Sequence, residues 1–445
     1  MAPDQTTIFA LASGAMRAGI SVLRVSGPAS ATALRTLTQG DLPTPRKAVY
    51  RIFQSPSGEV IDKGLALWFP APASFTGEDV VEFHLHGGAA VIREMITTLE
   101  SISGLVPAAP GEFSRRAFEN GKMDLTQAEG LADLINAETV AQRRQALRQM
   151  DGALGKLYEE WRQRLIGILA VTEADIDFPD EDLPDGMGES ARDGIATLIT
   201  EIESHLADEG GGERVREGIR LAIVGAPNVG KSSLLNRLAK REAAIVTPIA
   251  GTTRDVIEIH LDIGGYPVIA ADTAGLRDST DLVEREGVNR ARDRAESADL
   301  VLALFDGTEW PTRHPETLSL IDDSAIPIVT KGDLADVPEK AHIADLPICA
   351  ISVKTGKGLD ALMQRMEAEI KDRWAPGGNA VLTRARHRWG LETAVADLRR
   401  AQATGELELA AEDLRLAARS LGSITGRVDV EDILDALFAE FCIGK

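Results

Sequence analysis

A multidomain α/β chain is predicted by three observations: an α+β unit at its start, then helical parts flanking an inserted doubly wound sheet. Residues 221–233 read LAIVGAPNVGKSS, an apolar run that ends in a glycine loop and opens a helix. Later apolar runs at 268–271, 326–329 and 348–351 each end in a short polar loop, as strands of a doubly wound sheet do along one edge. Residues 125–206 and 381–441 carry helical periodicity instead, so the strand-rich middle reads as an insertion between two helical parts.

From Thr7 to Ser26 apolar stretches alternate with small residues, which predicts two strands around a loop at 14–19. Residues 65–69 and 80–85 add two strands and 89–99 a helix, completing a compact unit that ends near Asn120. His84 and His86 form an H-x-H pair, but no third ligand lies nearby, so hydrogen-bonded histidines are expected rather than a metal site. The helical pattern from 125 to 206 is broken once, at 177–180, and the pattern from 381 to 441 is broken near 422–426, with Asp429 capping the last helix. Glycine-rich EGGGE at 209–213 and APGGN at 375–379 read as hinges. The expected domains are therefore 1–120, 121–212 (first helical part), 213–377 (inserted domain) and 378–445 (second helical part).

A chain of 445 residues suits about three domains. Its 48 Lys+Arg against 69 Asp+Glu give a net charge of −21, which argues against coating nucleic acid or anionic membrane by bulk charge. Any RNA contact must be local or shared with a partner. The two cysteines exclude a disulfide framework, the first residues lack the pattern of a signal peptide, and no apolar run suits a membrane span. A cytoplasmic protein is expected.

The glycine loop carries the chemistry. G-x-x-x-x-G-K-S lets the backbone turn at Gly225 and Gly230 so that the N–H groups of Asn228, Val229, Gly230, Lys231, Ser232 and Ser233 can face phosphates. Lys231 can reach the β and γ phosphates and Ser232 can ligate Mg²⁺. Asp272, Thr273, Ala274 and Gly275 follow a strand as D-x-x-G, in which the Asp holds Mg²⁺ through water and the Gly N–H meets the γ-phosphate. Between them Thr247, Pro248, Ile249, Ala250, Gly251, Thr252 and Thr253 form a candidate switch, with Thr253 completing the Mg²⁺ shell. Thr330, Lys331, Gly332 and Asp333 form a base-reading loop: the Asp accepts both hydrogens of the guanine N1 and N2 edge and the Lys stem covers the ring. Ser352, Val353 and Lys354 back the base. In this order the four stretches describe a Ras-like P-loop GTPase domain.

Along nearly its whole length the chain resembles the MnmE (TrmE) tRNA-modification GTPases. The carrying residues are LRVSG at 23–27, SFTGEDVVEFHLHGG at 74–88, PGEFSRRAFENGKMDL at 110–125, GAPNVGKSSLLN, AIVTPIAGTTRD, DTAGL and the terminal FCIGK. The resemblance implies a homodimer whose N-terminal domain binds a tetrahydrofolate one-carbon carrier, as the 5,10-methylene or formyl form. It also implies an FAD- and NADH-using partner, MnmG (GidA), in a heterotetramer that modifies C5 of the wobble uridine of certain tRNAs. It assigns folate contacts to Arg24, Glu82, Lys122 and Lys445, K⁺ ligation to Asn228, Thr247, Ile249 and Thr252, and the water-positioning carboxylate to Glu284. Cys442 is either a small residue closing the last helix or a thiolate, favoured by Lys445, that acts on uracil or assists one-carbon transfer.

Three departures from the family pattern are visible. The loop at 12–19 is poorer in Pro and Gly than is usual, Thr330 stands where the base motif has Asn, and the S-A-K loop reads S-V-K. A threonine hydroxyl can still bond neighbouring loop backbone, so weaker rather than altered nucleotide specificity is expected. Leu276, where Ras-like enzymes carry a water-orienting Gln, has no hydrogen-bonding group, so another residue must do that work. Two other readings fit the motifs less fully: a GTP-gated assembly factor without tRNA chemistry, and a folate-dependent methyltransferase regulated by GTP.

Overall fold

The computed structural model describes residues 6–14, 17–177, 187–207, 210–241, 258–271, 292–293, 295–335, 337–338, 340–374, 380–428, 431–439, 441 and 444. The chain divides into two compact units, one of residues 1–132, 149–169 and 414–445, the other of 133–148 and 170–413.

The first unit is built on a sheet of β1 (Thr7–Leu11), β2 (Ala18–Ser26), β3 (Val49–Gln54), β4 (Val60–Phe69), β5 (Val80–Gly87) and β6 (Leu105–Pro107), in the order β3-β4-β5-β2-β1-β6. Helices α1 (Ser30–Thr38) and α2 (Ala89–Glu100) pack Leu34, Leu37, Met95 and Leu99 against Leu23, Val25, Phe53, Val81 and Phe83. These inward residues alternate with outward ones along the antiparallel strands β2 and β5, while Ile8 and Ala10 of β1 are buried on the other face with Ala108 and Phe113. The outward residues include Arg24 and Glu82, directly opposite each other across β2 and β5.

The helical text is more finely divided than its periodicity suggests. After α3 (Glu112–Glu119), α4 spans Leu125–Asn136, α5 Val140–Met150, α6 Ala153–Asp177 and α7 Met187–Leu206. Breaks thus fall after Asn136 and Met150, while the break expected at 177–180 lies, from 178 on, outside the described residues. Two capping boxes set the starts. Gln127 N donates to Asp124 Oδ1 (2.8 Å) while Asp124 N donates to Gln127 Oε1 (3.0 Å), and Thr139 and Gln142 repeat the exchange at α5. Residues 209–213 are not an open hinge throughout, because α8 (Gly211–Glu217) begins within them. Gly211 and Gly212 are buried, and a Cβ on Gly212 would lie 2.2 Å from Leu382 O, so glycine serves close packing there. The later helices are Leu359–Trp374, Ala385–Ala403, Leu407–Thr425 and Glu431–Ala439. Gly422 lies inside the third of these; the chain leaves helix at Gly426, and also at 404–406. Asp429 and residues 375–379 lie outside the described residues.

The two helical parts pack together within each unit. In the first, Leu125, Ala128 and Ala132 of α4 meet Leu434, Leu437 and Phe438 of the last helix, with Phe441 beyond it. In the second, α7 packs on helix Ala385–Ala403, where Arg388 Nη1 donates to Leu206 O at 2.9 Å.

The second unit holds a sheet of β7 (Ile219–Gly225), β8 (Glu258–Ile263), β9 (Tyr266–Ala271), β10 (Leu300–Asp306), β11 (Ala325–Thr330) and a short strand Cys349–Ala350. Its order is Cys349–Ala350, β11, β10, β7, β9, β8, all parallel except β8. The strands are apolar nearly throughout because both faces are covered. Helix α9 (Lys231–Arg241) and helix Leu359–Trp374 close one face, and Ala295, Trp310, Leu318 and Ile321 pack on the other. This is the doubly wound arrangement. Strands β8 and β10 are additions to the four that the sequence singles out.

Candidate functional site

The parallel strands of the second unit deliver their polar loops to the carboxyl edge of the sheet, where a doubly wound fold binds its ligand. Strand β7 ends at Gly225, and the loop reaches α9 through Gly225 (φ 151°), Asn228 (φ 61°) and Gly230 (φ 107°). A Cβ on Gly225 would sit 2.6 Å from Leu304 O, so this close approach requires glycine. Val229 anchors the loop in the core with 1 % exposure, leaving Asn228, Ser232 and Ser233 at the surface. Lys231 Nζ donates to Gly225 O and Ala226 O, both at 2.9 Å. Burial pushes its pKa below the ordinary lysine value. The ammonium is thus held over the loop by two carbonyls that phosphate oxygens can replace as acceptors.

The base loop is tied to the phosphate loop through Thr330. Its hydroxyl, buried at 2 %, donates to Val229 O at 2.8 Å, with Phe305 O at 3.2 Å. This is the backbone bond expected of a threonine in the asparagine position. Lys331 takes a positive φ (54°) and its Nζ meets Asp306 Oδ2 at 2.5 Å, which extends the lysine stem along the loop. Gly332 N donates to Ile351 O at 2.9 Å, drawing the base loop onto the S-V-K stretch. Ser352, nearly fully buried, hydrogen-bonds Asp333, and this bond first, then backbone bonding and the nearby Lys354, holds the Asp333 carboxyl below its usual range. Asp306 is the residue that the motifs miss. Burial raises its pKa, but hydrogen bonds from Lys331 and Thr308 outweigh that and lower it. The run LVLALFDG, an apolar strand ending in Asp-Gly, is the signal that marks it.

The structure thus brings the stretches Asn228 to Ser233, Thr330 to Asp333 and Ser352 to Lys354 together. Thr247 to Thr253, Asp272 to Gly275, Glu284, Cys442 and Lys445 lie outside the described residues. Ser232, in the first turn of α9, offers the hydroxyl a divalent cation needs, and Asn228 offers an exposed amide oxygen.

A second constellation stands on the face of the N-terminal sheet opposite α1 and α2, beside the buried cluster of Ile8, Ala10, Ala108 and Phe113. Arg24 Nε and Nη2 donate to Glu82 Oε1 at 3.0 and 2.9 Å, and the guanidinium lies 5.4 and 5.7 Å from the ring centroids of Phe75 and Phe113. Lys122 Nζ donates to Pro72 O at 3.0 Å. The loop between Pro70 and Asp79 is braced from below by Glu78, which pairs with buried Arg116 and accepts from Ser26. Because both Arg24 bonds fall on Oε1, Glu82 Oε2 remains as an acceptor, 3.5 Å from His84 Nε2. Arg24, Glu82 and the exposed Phe75 suit a flat polar ring with an amino edge. His86 Nδ1 pairs with Asp62 at 2.8 Å, and no group of potential metal ligands occurs among the described residues. The chain end reaches this unit too: Gly444 (φ 99°) packs so closely on β1 that a Cβ would lie 2.3 Å from Leu11 O.

Comparison with known proteins agrees with this geometry. The sequence profile of the MnmE helical domain matches residues 125–442, and that of the GTP-binding protein TrmE N-terminus matches residues 7–122. The chain is 57 % identical over 439 residues to the tRNA modification GTPase MnmE of Paramagnetospirillum magneticum, covering 99 % of both chains. It is 53 % identical over 452 residues to the protein of that name from Rhodospirillum rubrum, again with 99 % of each covered. It is 48 % identical over 470 residues to the mitochondrial 5-taurinomethyluridine-[tRNA] synthase subunit GTPB3 of Danio rerio, covering 100 % of this chain and 94 % of that one. With a phosphate loop and a base loop joined at one sheet edge and likeness from end to end, the chain belongs to the MnmE (TrmE) family of tRNA modification GTPases and is a GTP hydrolase.

Proposed function

We propose that this protein is a potassium-dependent GTPase that modifies C5 of the wobble uridine, position 34, in certain tRNAs. It works with an FAD- and NADH-using flavoprotein of the MnmG (GidA) type and yields aminomethyl and carboxymethylaminomethyl derivatives. The observation that carries the reading is the joint presence, in one chain of this family, of a guanine-nucleotide site and the separate Arg24–Glu82 face.

In the nucleotide site Lys231 moves its hydrogen bonds from loop carbonyls to the β and γ phosphates, and Asp333 accepts from the guanine N1 and N2 hydrogens while Ser352 holds it in place. Ser232 and Thr253 would hold Mg²⁺. Asn228, with Thr247, Ile249 and Thr252, would hold K⁺, whose charge offsets that growing between the phosphates. Glu284 positions the attacking water, work that Leu276 cannot do. On the N-terminal sheet Glu82 Oε2 would accept from a pterin N–H edge, and Arg24, Lys122 and Lys445 would supply cations for its oxygens or carboxylates. Tetrahydrofolate bound there supplies the one-carbon unit. The close packing of Gly444 on β1 supports a role for the tail at that face, with the Cys442 thiolate adding to uracil C6.

The domains in this reading are 1–120 for folate and dimerisation, 121–212 and 378–445 for the helical part, and 213–377 for GTP. The protein acts in the cytoplasm as a homodimer that joins its partner in a heterotetramer. Nucleoside analysis of tRNA from cells lacking the protein tests the reading. Loss of C5-modified wobble uridine, restored by the wild-type chain and not by Cys442→Ser, is expected. Unchanged wobble uridines would overturn it.

A further inference from the structure

We propose that the corner between α4 and α5 is a positioning element for GTP hydrolysis, and that Glu138 and His260 are the pair through which it acts. Strands β8 and β9 form a hairpin whose ends join the two candidate switch stretches: β8 begins five residues after Thr253, and β9 ends one residue before Asp272. Wherever the hairpin sits, the chain on both sides must start from it.

Three polar contacts secure the corner to this hairpin and to α8. Glu138 Oε2 lies 3.0 Å from His260 Nδ1 on β8. Ala141 N, in the first turn of α5 and so without an intrahelical acceptor, donates to Gly265 O at 2.9 Å. Gln142 Nε2 donates to Arg216 O on α8 at 3.1 Å. The hairpin turn is fixed from the other side as well. Gly264 and Gly265 both have positive φ (60° and 90°), the two-residue turn that matches strand twist, and a Cβ on Gly264 would lie 2.4 Å from Glu367 Cγ.

The corner is itself rigid. Thr139 and Gln142 cap α5 reciprocally, and Asp133 at the end of α4 accepts from Arg216 Nε (3.1 Å) and Arg384 Nη2 (2.8 Å). Residues 133–148 accordingly belong to the same compact unit as the nucleotide site, although residues 125–132 of α4 and residues 149–169 do not. The Glu138–His260 pair borders a cleft of about 190 Å³ and is roughly a quarter exposed on each side, so removing it leaves no cavity in the core. A helical segment far from the nucleotide in sequence thereby sets the position of the strands that feed the catalytic loops.

The test is steady-state GTP hydrolysis by the full-length protein. Glu138→Ala and His260→Ala are each expected to lower kcat about tenfold with KM within about twofold of wild type, because the loops that bind GTP are untouched. The double variant should be no slower than either single one, since both remove the same contact. Glu138→Gln, whose amide oxygen still accepts from the imidazole, should stay near wild type, and thermal unfolding midpoints should stay together across the set. Wild-type kcat in the alanine variants, additive losses in the double variant, a Glu138→Gln as slow as Glu138→Ala, or losses that follow the unfolding midpoint would each overturn the proposal.

Discussion

At the carboxyl ends of β7 and β11 the groups that meet a nucleotide are held by contiguous backbone, whereas on the N-terminal sheet Arg24 and Glu82 meet across 58 residues because β2 and β5 pair in register. The phosphate loop needs Gly225, Asn228 and Gly230 at positive φ, and the base loop needs Lys331 there, so each shape is written into a few neighbouring residues. The Arg24–Glu82 face needs a correct sheet first. A one-residue slip of β2 would turn Arg24 into the core and Val25 out of it. Nucleotide binding should therefore depend on single loop atoms, and the N-terminal chemistry on side chains that can be changed without disturbing GTP.

The largest effect is expected at Lys231. Lys231→Ala removes the cation from the phosphates and should lower GTP hydrolysis about a thousandfold, the range for losing a main transition-state charge, with the protein still folded. Hydrolysis within tenfold of wild type would mean that the loop binds phosphate through backbone alone. Next, Arg24→Ala should cut tRNA modification about a hundredfold and leave GTP hydrolysis within twofold. A parallel fall in hydrolysis would break the contrast between the two regions, since it would make Arg24 part of the nucleotide cycle.

Thr330→Val should have a smaller effect. It keeps the shape but removes the donor to Val229 O, leaving a buried carbonyl with one bond fewer at a cost of about 1 to 2 kcal/mol, and GTP should bind several-fold more weakly. Equilibrium nucleotide binding measures this, and unchanged affinity would show that the two loops hold their spacing independently. The smallest effect concerns Asp306, whose folded pKa is lowered below 3.8. A depressed carboxylate contributes stability that is fully present above its unfolded pKa and is lost as pH falls through the folded value. Asp306→Asn should therefore lower the unfolding midpoint at pH 6 by an amount worth under about 1 kcal/mol, given the partly exposed Lys331, and the difference should shrink as pH falls through the lowered pKa of Asp306.

The same contrast explains what could be read in the sequence. The loop from Gly225 to Ser233 and the loop from Thr330 to Asp333 were legible because spacing alone sets their geometry. The pairing of Arg24 with Glu82 was not, because register between distant strands is a tertiary fact, and family resemblance rather than spacing singled those residues out. Residues 209–213 look like a linker by composition, yet contact with Leu382 makes part of them the buried start of a helix. The capping boxes at Asp124 and Thr139 were present in the sequence but hidden within a continuous helical periodicity. Asp306 was equally visible, as the end of an apolar run, and stands out only when its role beside Lys331 is seen.

The central claim is that this guanine-nucleotide site drives the tRNA chemistry. Its most direct test is wobble-uridine modification by Asp333→Asn with the proposed flavoprotein partner, the proposed folate donor and either GTP or XTP. An amide at this position offers a donor to the xanthine oxygen in place of an acceptor for the guanine amino group. Modification should follow the base, proceeding with XTP and failing with GTP. Equal modification with both nucleotides, or with neither present, would contradict the account.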